Sequence, residues 1–235
     1  MNLHRIADLT VDMGYKYDRL KYQAMPYRIT ENEEPIVTIY LSDEFLERRH
    51  TENPAMTPEI AEYVYTGSIF NAGLVKYNGI MLHSSAVVMD GTAYLFTADS
   101  GTGKSTHTAL WQEVFGKDRA KILNDDKPAI RILKDGIFAY GTPWSGKTDL
   151  NINMKARLGG ICILERGEKN EIHRENGGAV VTEIMRQSVR TTDRSDTEMF
   201  LQNVDFILRN IPVYRMKCNI STEAAEMAYG VMSKF

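Results

Sequence analysis

The sequence predicts an α/β protein: a mixed sheet with hairpins flanked by helices, preceded by a small α+β N-terminal extension. Three observations carry this reading. The strand-like run "TAYLFTA" feeds directly into the glycine-rich stretch "ADSGTGKS", Ala98 to Ser105, and a helix-like segment follows. Two apolar pairs, "IMLHSSAVVM" with "TAYLFTA" and "AIRIL" with "IFAYG", flank Asp90-Gly91 and Asp135-Gly136; Asp-Gly accepts the positive φ angles of tight hairpin turns. The last third is helical in texture, with Phe200, Val204, Ile207 and Leu208 on one face of "TEMFLQNVDFILRN",.

Taken in order, residues 1–56 mix short strand-like runs such as "EPIVTIYLS" with polar turns and carry no chemical motif. Thr57 and Pro58 suit the cap and first position of a helix, either one helix through "AEYVYTGSIFNAGLVKY" or two broken near Gly67. The texture changes near residue 79, which divides an extension, 1–78, from a second unit, 79–235. In that unit a helix runs from Lys104 to about Phe115 and ends at Gly116,. "AKILND" is a strand, "ARLGGICILERG" contains a buried strand, and "GGAVVTEIMRQSV" is a helix. "IPVYRMKCNI" is a strand, and Ser221 caps a final helix to about Met232,.

The totals narrow the function. The chain of 235 residues has a formal net charge of −3, which provides no global attraction for nucleic acid or an anionic membrane. Cys162 and Cys218 lie in apolar runs and read as buried thiols of a reducing compartment,. "MNLHRIADLT" lacks the marks of a signal peptide,, and no apolar run approaches the ~18 residues of a membrane span, so a soluble cytoplasmic protein is expected. The histidines show no metal-ligand spacing.

The stretch Ala98–Ser105 matches the phosphate-binding pattern G-x-x-x-x-G-K-[ST] except at its first position, where Ala98 replaces glycine,. The physics still favours phosphate. Gly101 and Gly103 let backbone N–H groups approach phosphate oxygens, and the helix mouth adds its positive end. Ser100 to Thr106 would form this cradle, Lys104 would meet the β- and γ-phosphates, and the Ser105 hydroxyl suits the magnesium ion that accompanies ATP. An alanine at the first position costs little if its φ is negative and about 1–2 kcal/mol if positive. Asp125-Asp126 follows at the end of the next strand. One acid can bind metal and the other accept a proton; sharing one site requires the strand to end by Asp126, as Pro128 allows.

Three further groups stand out. Ser145, Gly146 and Lys147 in "TPWSGKTD" read as a second anion clamp or an exposed turn. Lys127 balances the acids or faces water. Arg186, Arg190 and Arg194 would form a stripe if helical,.

The segment "HSSAVVMDGTAYLFTADSGTGKSTHTAL…KILNDDKPAI" resembles the C-terminal catalytic domain of HPr kinase/phosphorylase and its shorter relatives, a group related to ATP-dependent phosphoenolpyruvate carboxykinase. The likeness covers residues 80–131 well and the remainder only in layout. It implies a P-loop kinase domain of that type, with ATP and magnesium as cofactors and transfer of the γ-phosphate to a serine-type hydroxyl of a peptide, protein or small metabolite. Lys104 and the loop would bind phosphates, Ser105 and Asp126 the metal, Asp125 would be the base, and His83 would lie close to the loop. It also suggests a homo-oligomer. Thr106 stands where the HPr kinases usually have glutamate, and "YGTPWSGKTDLNIN" replaces their downstream signature. The rival readings are a nucleotide-binding sensor or slow ATPase, and a peptide-binding protein with a vestigial loop. The extension 1–78 is expected to help bind the acceptor.

Overall fold

In the computed structural model, which describes residues 2–31, 33–189 and 193–234, the chain opens on a hairpin that needs no glycine. Ala7 and Asp8 both take positive φ, 51° and 58°, between β1 (Leu3–Ile6) and β2 (Leu9–Met13), the backbone of a tight turn that matches strand twist. After α1 (Asp18–Ala24), β3 (Val37–Ile39) pairs parallel with β2 and completes a small three-stranded sheet. The Ser42 hydroxyl accepts from Phe45 N to start α2 (Asp43–Glu52). Thr57 starts α3 (Pro58–Val75) as its sequence suggests, accepting from Ile60 N at 3.3 Å. α3 is one unbroken helix. Gly67 inside it permits close approach, since a Cβ there would stand 3.1 Å from the Trp144 ring.

The rest of the chain forms β4 (Gly79–Met81), β5 (Ser84–Met89), β6 (Thr92–Thr97), α4 (Lys104–Phe115), β7 (Ala120–Asn124), β8 (Ala129–Leu133), β9 (Gly136–Tyr140), β10 (Lys155–Arg166), β11 (Glu171–Glu175), α5 (Gly178–Gln187), α6 (Arg194–Asn210), β12 (Val213–Cys218) and α7 (Thr222–Met232). The fold is a mixed α/β one. Its larger sheet runs β4-β8-β9-β10-β6-β5-β7, with β12 joining β10 and β11 on β12. β10 is the spine. Its first residues pair antiparallel with β9, and the remainder pairs parallel with β6 and β12. β6, β10 and β12 therefore end on one edge of the sheet, and the glycine loop follows β6 there.

Apolar side chains of α5 and α6, among them Ile184, Phe200, Val204 and Ile207, cover one face of this sheet. Leu110 and Trp111 of α4 and the alanines and Met232 of α7 cover the other. The extension is joined to the sheet by a third cluster, in which Tyr27, Ile39, Tyr63 and Phe70 meet Met81, Ala129, Tyr140 and Trp144.

Several expectations shift. The first hairpin turns on Asp90 (φ 51°) and Gly91 (φ 82°) as read from sequence. The second turns one residue earlier, on Lys134-Asp135, because Leu133 pairs with Gly136. Gly136 makes room for Arg157, whose Nη1 would lie 2.4 Å from a Cβ. β11 had no sequence signal; its face is largely polar and exposed. Ser221 precedes α7 without capping it, since its hydroxyl donates to Asn219 Oδ1 at 2.6 Å. The arginine stripe does not form: α5 ends at Gln187, Asp193 caps α6, and Arg186 and Arg194 lie on different helices. Arg190 lies outside the described residues. Both cysteines are free, Cys162 buried and Cys218 partly so.

Candidate active site

The glycine loop links β6 to α4. Ala98 is buried and is not among the residues with positive φ, so a glycine is not needed there. Gly101 (φ 79°) and Gly103 (φ 123°) do require glycine, and no heavy atom lies within 4 Å of where their Cβ atoms would stand. The loop thus presents main chain toward open space. Lys104, only 8% exposed, curls back so that Nζ donates to Ala98 O at 3.0 Å. Burial lowers its pKa, and the Lys127 charge acts the same way; Asp126, Asp125 and Asp99 oppose it. Ser100, Ser105 and Thr106 are exposed around the mouth of α4 and Thr102 is half-buried there.

The acids sit just past the end of β7. Asn124 ends the strand: its Oδ1 accepts from both Asp126 N (2.9 Å) and Lys127 N (2.7 Å), which folds the chain into a tight bend,. The Asn124 amide in turn donates to Thr142 O. Both carboxylates therefore escape the alternation of a strand, and they differ sharply. Asp125 is buried, accepting from Ser85 Oγ at 2.5 Å and Thr148 Oγ1 at 2.8 Å; Thr108 of α4 contacts Ser85 Oγ at 2.7 Å. Asp126 is about a quarter exposed and meets His83 Nε2 at 3.1 Å and Lys127 Nζ at 2.9 Å. Burial works to raise the Asp126 pKa, but the His83 hydrogen bond and the Lys127 charge outweigh it and hold the carboxyl below its ordinary value.

His83 lies between β4 and β5 rather than within a strand. Its Nδ1 shares a hydrogen bond with Gln187 Oε1 at 3.1 Å. The Gln187 amide donates to Asp99 Oδ1 of the glycine loop at 3.2 Å, and Arg186 pairs with the same carboxylate. A hydrogen-bonded chain thus runs from Asp126 through His83 and the end of α5 to the loop. On the loop's other flank, Arg166 Nη2 donates to Gly101 O at 2.5 Å.

The segment 142–152 closes over the acids. Ser145 is fully buried; its N donates to Tyr63 Oη at 2.6 Å and its hydroxyl accepts from Asn151 Nδ2 at 3.0 Å. Gly146 packs on Asp126, where a Cβ would fall 2.8 Å from the Asp126 Cβ, and its carbonyl accepts from Arg19 of the extension. Lys147 is exposed at the rim. Of the three proposed clamp residues, then, only Lys147 has a free head group, and the Ser145 hydroxyl is spent inside the protein.

A cavity of about 430 Å³ adjoins the loop, walled by Leu110, Leu164, Arg166, Cys218 and Ile220; Ile220 is 81% exposed at its rim. No group of three or more His, Cys, Asp or Glu able to hold a metal exists among the described residues. The donors at hand are Ser105 and the two aspartates, a set that suits magnesium, which keeps waters and takes one or two carboxylates beside phosphate oxygens. Sequence reading missed Asn124, Ser85, Thr148, Gln187, Arg186 as a loop partner, and Arg166. Asn124 had a local signal, an Asn just before the acids; Gln187 had none, since its relation to His83 is made only by folding.

No protein-family model matches the sequence, and no curated protein matches it. Among solved structures, the HPr(Ser) kinase/phosphatase from Coxiella burnetii superposes on 66% of this chain and 95% of its own, with 12% identity and a TM-score of 0.39. No helix among the described residues is long and apolar enough to cross a membrane.

Proposed function

We propose that this chain binds ATP on the 98–106 loop and transfers its γ-phosphoryl group to a hydroxyl of an acceptor. One observation carries the reading: a loop at a helix mouth whose main chain faces open space at Gly101 and Gly103, with a buried lysine at its base and a carboxylate pair within reach of that lysine's charge. Bare amides and a lysine at a helix N-terminus suit phosphate better than any other ligand. The nucleoside end would occupy the 430 Å³ cavity, where Leu110, Leu164 and Ile220 offer apolar contact to a base.

The contrast between the acids supports an assignment opposite to the one the family resemblance implies. Asp126 is the more exposed of the two acids and is kept ionised, so it accepts the proton as the acceptor oxygen bonds to phosphorus and the bond to the β-bridging oxygen breaks, releasing ADP,. Asp125, oriented by Ser85 and Thr148, would hold magnesium together with Ser105. The metal would supply neutralisation of phosphate charge. His83 and Lys127 position Asp126, and positioning with charge neutralisation accounts for most of the acceleration such sites achieve.

Two measurements test this. Magnesium-ATP should raise the melting temperature, as any ligand selective for the native state does, and γ-labelled ATP with a cell extract should yield a labelled acceptor. Asp126→Asn should keep the thermal shift and lose about 10²- to 10⁴-fold in transfer, while Asp125→Asn should lose the magnesium dependence of binding. An unmoved melting temperature overturns the reading. Hydrolysis without transfer to any acceptor would favour the sensor.

A further inference from the structure

Beside Asp126, and lined by no residue of the glycine loop, lies a second cavity of about 280 Å³. Its walls are mostly apolar: Tyr63, Val64 and Gly67 of α3, Met81 of β4, Trp144 and Val189, with Ser68 beside them, whose hydroxyl donates to Val64 O. Asp126 and Lys127 form its one charged end. The walls are fixed before any ligand arrives. Tyr63 Oη is held by Ser145 N and donates to Pro143 O at 3.1 Å. Trp144 stacks on Phe70 with centroids 5.0 Å apart, donates to Thr66 Oγ1, and seats against Gly67. Such preorganisation lowers the ordering cost of binding. The cavity is continuous with an exposed apolar row on α3, since Ile60 (38% exposed) stands one turn before Val64 (45%),.

Resting on the kinase reading above, we propose that this cavity is the acceptor subsite, and that the acceptor is a polypeptide whose serine or threonine lies two positions from an apolar side chain. The same cavity that ends at Asp126 would hold the apolar group, so hydroxyl and apolar group must reach out from one side of the acceptor. In an extended chain, residues two apart point to one side, about 6–7 Å apart. The volume suits a side chain from leucine to phenylalanine. The open row along α3 gives the chain a path onward, which a small metabolite would leave uncovered.

The test uses the full chain, γ-labelled magnesium-ATP, and a degenerate peptide library with one central serine, run beside free serine and glycerol. The labelled pool should be enriched in Leu, Met, Ile or Phe two positions from the serine, on one side or the other. With the best peptide so found, Val64→Lys, at an exposed position that should not disturb folding, should raise the acceptor KM about tenfold or more, the scale on which apolar pockets discriminate; Val64→Ile should not. Label spread over peptides without an apolar preference, label on serine or glycerol alone, or no acceptor at all overturns the subsite even where magnesium-ATP still raises the melting temperature. If magnesium-ATP fails to raise that temperature, the nucleotide reading falls first and the subsite with it.

Discussion

On one side of the acids the chain offers bare backbone: Gly101 and Gly103, with open space where side chains would be. On the other side, Tyr63, Phe70 and Trp144 interlock, and Trp144 is 2% exposed. The loop holds its shape by backbone geometry and gains little stability from it. The α3 side holds its shape by burial and gains a great deal. Damage to the first should cost binding, and damage to the second should cost the fold.

The largest effect is expected from Trp144→Ala, which empties the site between Phe70, Gly67 and Thr66 and should lower unfolding free energy by about 3–5 kcal/mol,. A urea titration reads it. An effect below about 1 kcal/mol would mean that the α3 side is not held by packing. Next comes an acid sensitivity on the loop side. His107 of α4 packs on Phe96, with centroids 4.5 Å apart, and accepts from Trp111 Nε1 at 3.3 Å, while its Nδ1 has no partner. Burial pushes its pKa down from 6.5 to about 4. Between those values the unfolded chain takes up a proton that the native state refuses. Stability should therefore fall as pH drops from about 6.5 toward about 4, by roughly 3 kcal/mol in all, and be complete above that window,. His107→Leu should flatten that part of the pH–stability profile.

Gly103→Ala sharpens the contrast. The added methyl meets nothing, so the cost lies wholly in a φ of 123°, about 1–3 kcal/mol. Relief of that strain would turn the amides away, and magnesium-ATP should bind about tenfold more weakly or worse, with a melting temperature only modestly lowered. Smallest of all is Ala98→Gly. It restores the expected motif and should yield no tighter nucleotide binding, only a loss of about 0.5–1 kcal/mol from the added chain freedom.

The sequence made the two sides unequally readable. A loop that works through its backbone must keep its glycines, lysine and serine at fixed spacing, so Gly101, Gly103, Lys104 and Ser105 stood out in one short stretch, as did the Asp-Gly hairpin leading to it. The acid pair was readable, and so was Lys127 beside it, though not the inequality of the acids, which comes from Ser85, His83 and Thr148 reaching them from distant parts of the chain. On the α3 side the helix was readable from Thr57 and Pro58, but not what packs on it. Tyr63, Met81 and Trp144 are ordinary core residues until the chain folds, and the Ala7-Asp8 turn breaks the habit of placing glycine at positive φ. β11, polar and exposed, lacked the apolar alternation by which strands are recognised.

The cluster that joins the extension to the sheet bears on how the protein is made. Chains emerge from the ribosome N-terminus first, so Phe70 appears well before Trp144, the ring that stacks on it, and the rest of the extension before Met81, Ala129 and Tyr140 of the same cluster. Until translation passes Trp144, the nascent polypeptide carries an unshielded greasy flank, the kind of surface that chaperones guard.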